Sequence, residues 1–407
     1  MPTTILENTI SLRSKNVKPS PTLAIMQQAL SLQASGIKIL NLSTGEPDFD
    51  TPVFIKEAAI KAINAGQTKY TTVDGTTALK NAIINKFKRE NNLIYEIDEI
   101  TVGAGGKQVI FNAFMATINA GDEVIIPTPY WVSYPDIVRL VDGIPVFVEG
   151  KAENQLKITP QQLDDAINPR TKWIVLNSPS NPSGSMYSTD EIYGISQVLR
   201  KHKNSHVHIL SDDIYEHLIY EKQVFATIAQ IEPSLKPRTL TVNGVSKTYC
   251  MTGWRIGYGG GPKSLIKTIG MIQSQSTSNP SSISQAAAVE ALNGPQDFIA
   301  PFQQAYKKRR DFVANKINKT PGLSCLIPPG AFYLYVSCAG LIGKKFKGKV
   351  ITDDTEFCKM LLEFAKVAVV PGNAFGLSPY FRISYATSDT VLAEACDQIN
   401  QFCLGCS

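Results

Sequence analysis

One lysine, Lys247, closes the β-branched run of "TLTVNGVSK", with an arginine eight residues further on at Arg255 and glycines on both sides of the pair. A lysine at the mouth of an apolar strand costs stability unless it stays solvated or finds a partner. It is therefore either an ordinary surface residue or an amine kept for chemistry. Other short β-branched runs also lead into residues of chemical use. "EITV" is followed by "GAGGKQ", with Gly105, Gly106 and Lys107, and "EVIIP" by "TPYWVSYP", with Trp131. "KWIVLN" is followed by "SPSNPSG", with Asn181, and "HVHILS" by "DDIYEH", with Asp212 and Tyr215.

Together these loops offer an anion cradle, a flat aromatic ring, an amide, a carboxylate, a phenol, an amine and a guanidinium. A glycine turn opening onto a helix presents free backbone N–H groups and a favourable dipole to a phosphate. The set suits a flat, phosphorylated aromatic aldehyde. Pyridoxal 5'-phosphate needs a lysine for its aldehyde, a carboxylate for its ring nitrogen and donors for its phosphate, and it gains from an aromatic face. Each piece alone has a plainer reading. "GAGGKQ" could be a simple turn, and it breaks the dinucleotide-binding pattern because Gln108 stands where the third glycine should be. Trp131 could be core, and Asp212 or Asp213 could cap a following helix. Only their occurrence in loop after loop favours the chemical reading.

The elements that must position these residues alternate from about residue 50 to about residue 300. β-Branched runs are predicted as strands over 99–102, 123–127, 145–148, 172–177, 206–211, 239–243 and 256–261, with helical patterns such as "KQVIFNAFMATI" and "TDEIYGISQVLRKH" between them. Asp190 or Thr189 is the expected cap of the latter. This is an α/β layout with a mainly parallel seven-stranded sheet, whose ligands bind outside the carboxyl ends of the strands. After residue 300 the pattern changes to a long helix "PFQQAYKKRRDFVANKIN", "GAFYLYVS", the helix "DTEFCKMLLEFAK", and the strands "VAVVP" and "YFRISYA". The expected division is a large domain over 51–300, a smaller α+β domain over 301–407, and an N-terminal segment, 1–50, packing with the latter.

Bulk properties exclude several classes. A chain of 407 residues, 43% hydrophobic and 18% charged, is globular and large enough for two domains. It holds no apolar run of membrane-spanning length, and the N-terminal segment does not read as secretory, so a cytoplasmic protein is expected. Seven scattered cysteines fit free thiols in a reducing compartment, and the C-x-x-C of "FCLGCS" lacks the further ligands of a zinc site, so no metal is expected. His202, His206 and His208 of "HKNSHVH" are expected to be solvated or packed. The net charge of +5 is spread along the chain, and "KKRR" at 307–310 is expected to be an exposed helix face, so no nucleic-acid partner is expected.

The blocks "NLSTGEPDFDTP", "TKYTTVDGTTALK", "PYWVSYP", "NSPSNPSG", "SDDIYEH", "GVSKTYCMTGWRIG" and "YFRISYATS" resemble those of class I aminotransferases with the aspartate aminotransferase fold. The resemblance runs from about residue 18 to about residue 388 and implies a fold type I transferase dependent on pyridoxal phosphate. It implies that Lys247 joins the cofactor's aldehyde and then carries the substrate's proton. Asp212 would pair with the ring nitrogen, Asn181 and Tyr215 with the phenolate oxygen, and Trp131 would stack on the ring. Arg255, Gly105, Gly106, Lys107 and Ser246 would surround the phosphate. Tyr70 would reach in from a second subunit, making a homodimer part of the machinery.

Arg382, between Phe381 and Ile383, belongs to the substrate under this resemblance, because an arginine in an apolar strand is costly unless an anion meets its fork. The α-carboxylate of an amino acid fits, with Gly45 letting the backbone approach it; an internal Asp or Glu is the alternative partner. The segment "MIQSQSTSNP" lacks the arginine that reads the distal carboxylate in the branch of the family typified by animal enzymes. The chain looks instead like a bacterial branch using two lysines, here Lys18 and Lys107. Relatives of that branch accept prephenate as well as oxaloacetate, which implies transamination of aspartate with 2-oxoglutarate and of prephenate to arogenate. A lyase or synthase using the same cofactor on this fold is the alternative; a dinucleotide-dependent dehydrogenase and a catalytically silent regulator fit less well.

Overall fold

The computed structural model describes residues 10–17, 21–202, 207–221 and 223–407. Seven strands form the main sheet: β1 (Ile100–Gly103), β2 (Glu123–Thr128), β3 (Ile144–Glu149), β4 (Thr171–Asn177), β5 (His208–Asp212), β6 (Thr239–Gly244) and β7 (Gly257–Gly260). Their order is β1-β7-β6-β5-β4-β2-β3, and only β7 runs antiparallel to its neighbours. Every residue of β1 and β6 is buried, as expected for parallel strands covered by helices on both faces, whereas edge strand β3 is half open to solvent. Apolar cores lie on both faces of the sheet, one centred on Val109, Phe114 and Trp173, the other on Ile174, Leu199 and Ile209.

The helices include α1 (Thr77–Asn91), which precedes β1, and α2 (Gly106–Thr117), α3 (Ser133–Leu140), α4 (Thr189–Lys201), α5 (Ile299–Asn318) and α6 (Asp389–Leu404). The cap of α4 is Ser188, not Asp190 or Thr189. Its hydroxyl accepts from the Glu191 N–H at 3.2 Å while the Glu191 carboxylate accepts from the Ser188 N–H at 2.7 Å, a reciprocal capping box that leaves Asp190 in the first turn.

The C-terminal part builds a four-stranded antiparallel sheet from β8 (Ser324–Cys325), β9 (Tyr333–Ser337), β10 (Val370–Pro371) and β11 (Tyr380–Ser384), in the order β10-β11-β9-β8. "VAVVP" is not one strand. Val367–Ala368 pairs with Leu40–Asn41, and Val370–Pro371 joins β11, so one apolar run ties the segment before residue 50 to this sheet. "DTEFCKMLLEFAK" begins as an α-helix over Asp354–Met360 and widens to a π turn over Leu361–Ala365. The core here takes in Tyr215, Leu218 and Tyr220 from the loop after β5, which plugs into the smaller sheet beside Tyr333 and Phe381.

The run "KKRR" is an exposed face only in part: Lys308 is exposed and Lys307 half-buried, whereas the two arginines are drawn into contacts. Arg310 is buried, forked onto Glu221 and Asp311 with its guanidinium 4.9 Å over the Tyr220 ring. Arg309 pairs with Asp48 at 2.8 Å and Asp389 at 3.1 Å, tying α5 to the N-terminal segment and to α6. His202 lies 2.9 Å from Asp164 and His208 packs on Trp173, while His206 falls outside the described residues. All seven cysteines are free thiols.

Candidate active site

At the carboxyl ends of β4, β5 and β6 lies a cavity of about 540 Å³, closed on its far side by the four-stranded sheet. Lys247 enters it from the loop after β6, and its Nζ donates to the Gly45 carbonyl at 2.6 Å. The rings of Tyr215 and Phe332 each lie 5.9 Å from that nitrogen. Burial pushes the ammonium down to about 8; Glu46 and Asp212 oppose this, and the nearby Arg382 and Arg255 charges add to it. An amine so placed is partly neutral near neutral pH and serves as a nucleophile or a base.

Asp212, at the end of β5, is buried, and its Oδ2 accepts from Tyr134 Oη at 2.5 Å. Burial pushes its carboxyl up to about 6, against the Tyr134 bond, the Ile214 N–H and the Lys247 charge. No helix follows Asp212 and Asp213: the chain makes turns over 214–217 and reaches its next helix at Ile228, so the capping reading of these two acids is set aside. Asp213 turns away, donated to by Ser211 at 2.8 Å. Tyr215 meets the hydroxyl of Tyr333 at 2.8 Å, and burial holds its phenol well above the usual range.

Arg382 projects from β11 into the opposite wall and is 2% exposed. Its Nη1 donates to Asn181 Oδ1 at 2.9 Å and its Nη2 to the Ser43 carbonyl at 2.6 Å, while its Nε has no partner. Among the described residues no Asp or Glu pairs with it, so the internal carboxylate is excluded there as the reason for this arginine. A buried guanidinium lacking an anion favours a ligand that brings one.

The phosphate-like end is built from backbone. Gly105 sits at φ 86°, a region that favours glycine, and Gly106 opens α2. The Gly105–Gly106 backbone lies so close to Gly257 of β7 that a side chain at 257 would collide with it. Arg255 donates to the Thr252 and Ala104 carbonyls, each at 3.1 Å, and its side chain is exposed. Lys107 stands 5.0 Å over the Trp131 ring, and Ser246 is buried on the cavity wall.

The structure thus brings Gly45, Gly106, Lys107, Trp131 and Asn181 to one cavity with Asp212, Tyr215, Ser246, Lys247, Arg255 and Arg382, and Gly105 lies directly behind Arg255. Tyr70 is not on this wall; it is 91% exposed. Lys18 lies outside the described residues. Sequence reasoning missed Tyr134 and Tyr333, which also line the cavity, and Asn177, whose amide donates to the Asp212 carbonyl at 2.9 Å while its Oδ1 accepts from the Asn181 N–H. Tyr134 lies three residues after Trp131, in the same polar loop-to-helix stretch, and was open to detection there; Tyr333, inside an apolar run, carried no such signal.

Residues 37–399 match the family of aminotransferases of class I and II, and the chain belongs to that family. Among its relatives are the aspartate/prephenate aminotransferase of Cereibacter sphaeroides, 57% identical over 96% of this chain and 98% of that one, and the aspartate aminotransferase of Rhizobium meliloti, 55% identical over 96% and 95%. The solved aspartate aminotransferase from Rhizobium meliloti superposes with a TM-score of 0.95 at 54% identity, covering 98% of this chain and all 100% of that one. The Thermus thermophilus aspartate aminotransferase with maleate gives 0.90 at 39% identity, over 97% and 99%.

Proposed function

We propose that the chain is an aspartate aminotransferase that moves the amino group of L-aspartate to 2-oxoglutarate with pyridoxal 5'-phosphate, and that it also converts prephenate to arogenate. The observation that carries the reading is the facing of Lys247 and Asp212 on one wall by an acid-free, buried Arg382 on the other. The residues fit the cofactor: a buried carboxylate, an indole face, a phenol, an amine with a lowered pKa, and a glycine turn at a helix start beside Arg255. When bound, the cofactor supplies an electron sink for the pair left on an amino acid's Cα.

The protein's part is to bind, orient and move one proton. Arg382 takes the α-carboxylate on its fork, assisted by Asn181 and the Gly45 backbone. Lys247 takes the Cα proton and would deliver it to the carbon that was the cofactor's aldehyde. Asp212, oriented by Tyr134, holds the ring nitrogen, and Asn181 and Tyr215 hold the ring oxygen. Gly105, Gly106, Ser246 and Arg255 grip the phosphate, and Trp131 covers the ring. Lys107 and Lys18 read the distal carboxylate, a looser device than an arginine fork and one that suits two differently shaped oxo acids.

Tyr70 completes the phosphate site from a second copy; its exposure, with Val53, Ile60 and Ile63 exposed on the nearby helix Val53–Asn64, supports a homodimer. We read the domains as 1–50, 51–300 and 301–407, the last closing over bound substrate to exclude water, in a protein of the cytoplasm. No described helix is long and apolar enough to cross a membrane. The test is the visible spectrum of the purified protein titrated with aspartate and then with candidate oxo acids. Bleaching by aspartate and recovery with 2-oxoglutarate and prephenate is expected; a protein that stays colourless with added cofactor refutes the proposal.

A further inference from the structure

We infer that Tyr333 is a positioning residue that acts through Tyr215, donating a hydrogen bond to it and so setting how strongly Tyr215 donates to the cofactor's ring oxygen. This rests on the function proposed above. The two hydroxyls are 2.8 Å apart and both rings are buried. A phenol carries one proton. If Tyr215 spends its proton on the ring oxygen, the proton between the two tyrosines must come from Tyr333. Burial raises both phenols above their ordinary range, so both remain neutral and the donor chain persists at working pH. A hydrogen bond received by Tyr215 polarises its own O–H and strengthens the bond it gives.

Tyr333 is well placed for this because it touches three parts of the site. It opens β9, adjacent to β11, and its ring lies 4.5 Å beneath the Arg382 guanidinium. Its hydroxyl lies against Gly45, where an added Cβ would stand 2.9 Å from it. Tyr215 comes from the loop after β5, so the bond joins the small sheet to the large one. The charged groups facing the pair are Arg382 from β11, Glu46 from the N-terminal segment, Asp212 from the end of β5 and Lys247 from the loop after β6. Docking of the small sheet and donor strength at the ring oxygen are thereby one event.

The test uses cofactor-loaded protein and reads the pH midpoint of its visible band. Donors to the ring oxygen favour the form in which that oxygen's charge is unshared, so weakening them raises the midpoint. Tyr333→Phe is expected to raise it by about half a unit, as for loss of a modest polarising bond. Tyr215→Phe should raise it further, and adding Tyr333→Phe in the Tyr215→Phe background should do nothing. An unchanged midpoint in Tyr333→Phe, or an equal shift in both backgrounds, overturns the inference. Absence of any pH-dependent visible band in the wild type overturns the cofactor reading instead. Maleate affinity separates the ring from the hydroxyl: Tyr333→Phe should weaken it less than about twofold and Tyr333→Leu about fivefold, the scale of a cation–π contact, and a greater loss in Tyr333→Phe overturns the assignment. Should Tyr333→Phe be recovered unfolded, Gly45→Ala displaces the same hydroxyl and must raise the midpoint.

Discussion

The two cationic ends of the cavity are built on opposite principles. Arg382 is buried, with two nitrogens tied to Asn181 and the Ser43 carbonyl and its plane held between Tyr333 at 4.5 Å and Phe375 at 5.1 Å. Lys107 and Arg255 are exposed, one on a flexible stem over Trp131, the other held by two backbone carbonyls. A pre-set fork suits the α-carboxylate, which every amino acid presents in the same way. An ammonium on a four-carbon stem tolerates different distances. On the function proposed above, the rigid end meets what substrates share and the mobile lysine meets what differs between them.

The comparison is broken most severely at its centre. Lys247→Ala should lower turnover by at least about 10⁴-fold, the scale of losing a nucleophile and base together, and should remove the visible band; activity at the wild-type rate refutes the whole scheme. At the rigid end, Arg382→Lys keeps the charge and loses the fork. We expect kcat/KM to fall by roughly 10²–10³ for aspartate and for a neutral amino acid alike, as for truncating a buried charged contact. A loss confined to dicarboxylic substrates would contradict the division of labour.

Burial also makes a prediction for the cofactor-free protein. The folded carboxyl of Asp212 titrates near 6, above its ordinary 3.8, so the folded state binds the proton more tightly. The stability this confers is full below about pH 4 and is lost as pH rises through 6. Asp212→Asn escapes that loss and should gain up to about 3 kcal/mol relative to wild type between pH 4 and pH 8, on the scale of about 1.4 kcal/mol per unit, in urea unfolding. A constant difference across this range would refute it. At the loose end, Lys107→Ala should raise KM for aspartate about tenfold, the scale of one ion pair shielded by substrate, and leave a neutral amino acid unaffected. Lys18→Ala should do the same by about threefold; equal losses on both substrates would remove either lysine from its role.

Much of this was legible because most strands of the main sheet announce themselves as β-branched runs, the glycine-rich antiparallel β7 being the exception. All seven strands lie within a residue or two of their expected positions, and the loops after them carry the polar residues that line the cavity. What escaped depends on contacts between distant segments. In the "KKRR" run the lysines are solvated as expected, but nothing local reveals that Glu221, Asp48 and Asp389, from loops and a helix far away in the chain, meet the two arginines. "VAVVP" read as one strand because apolarity does not reveal that successive pairs join different partners. Tyr134 and Tyr333 meet Asp212 and Tyr215, and only the folded chain brings those oxygens within hydrogen-bonding distance.

The close approach of Gly257 to the Gly105–Gly106 backbone has a further consequence. Alanine at 257 would press on the first turn of α2, the helix whose Val109 and Phe114 build one of the two apolar cores flanking the sheet. On the function proposed above, one added methyl there would loosen the phosphate cradle and the helix packing together, so that cofactor retention on dialysis and melting temperature should fall in step.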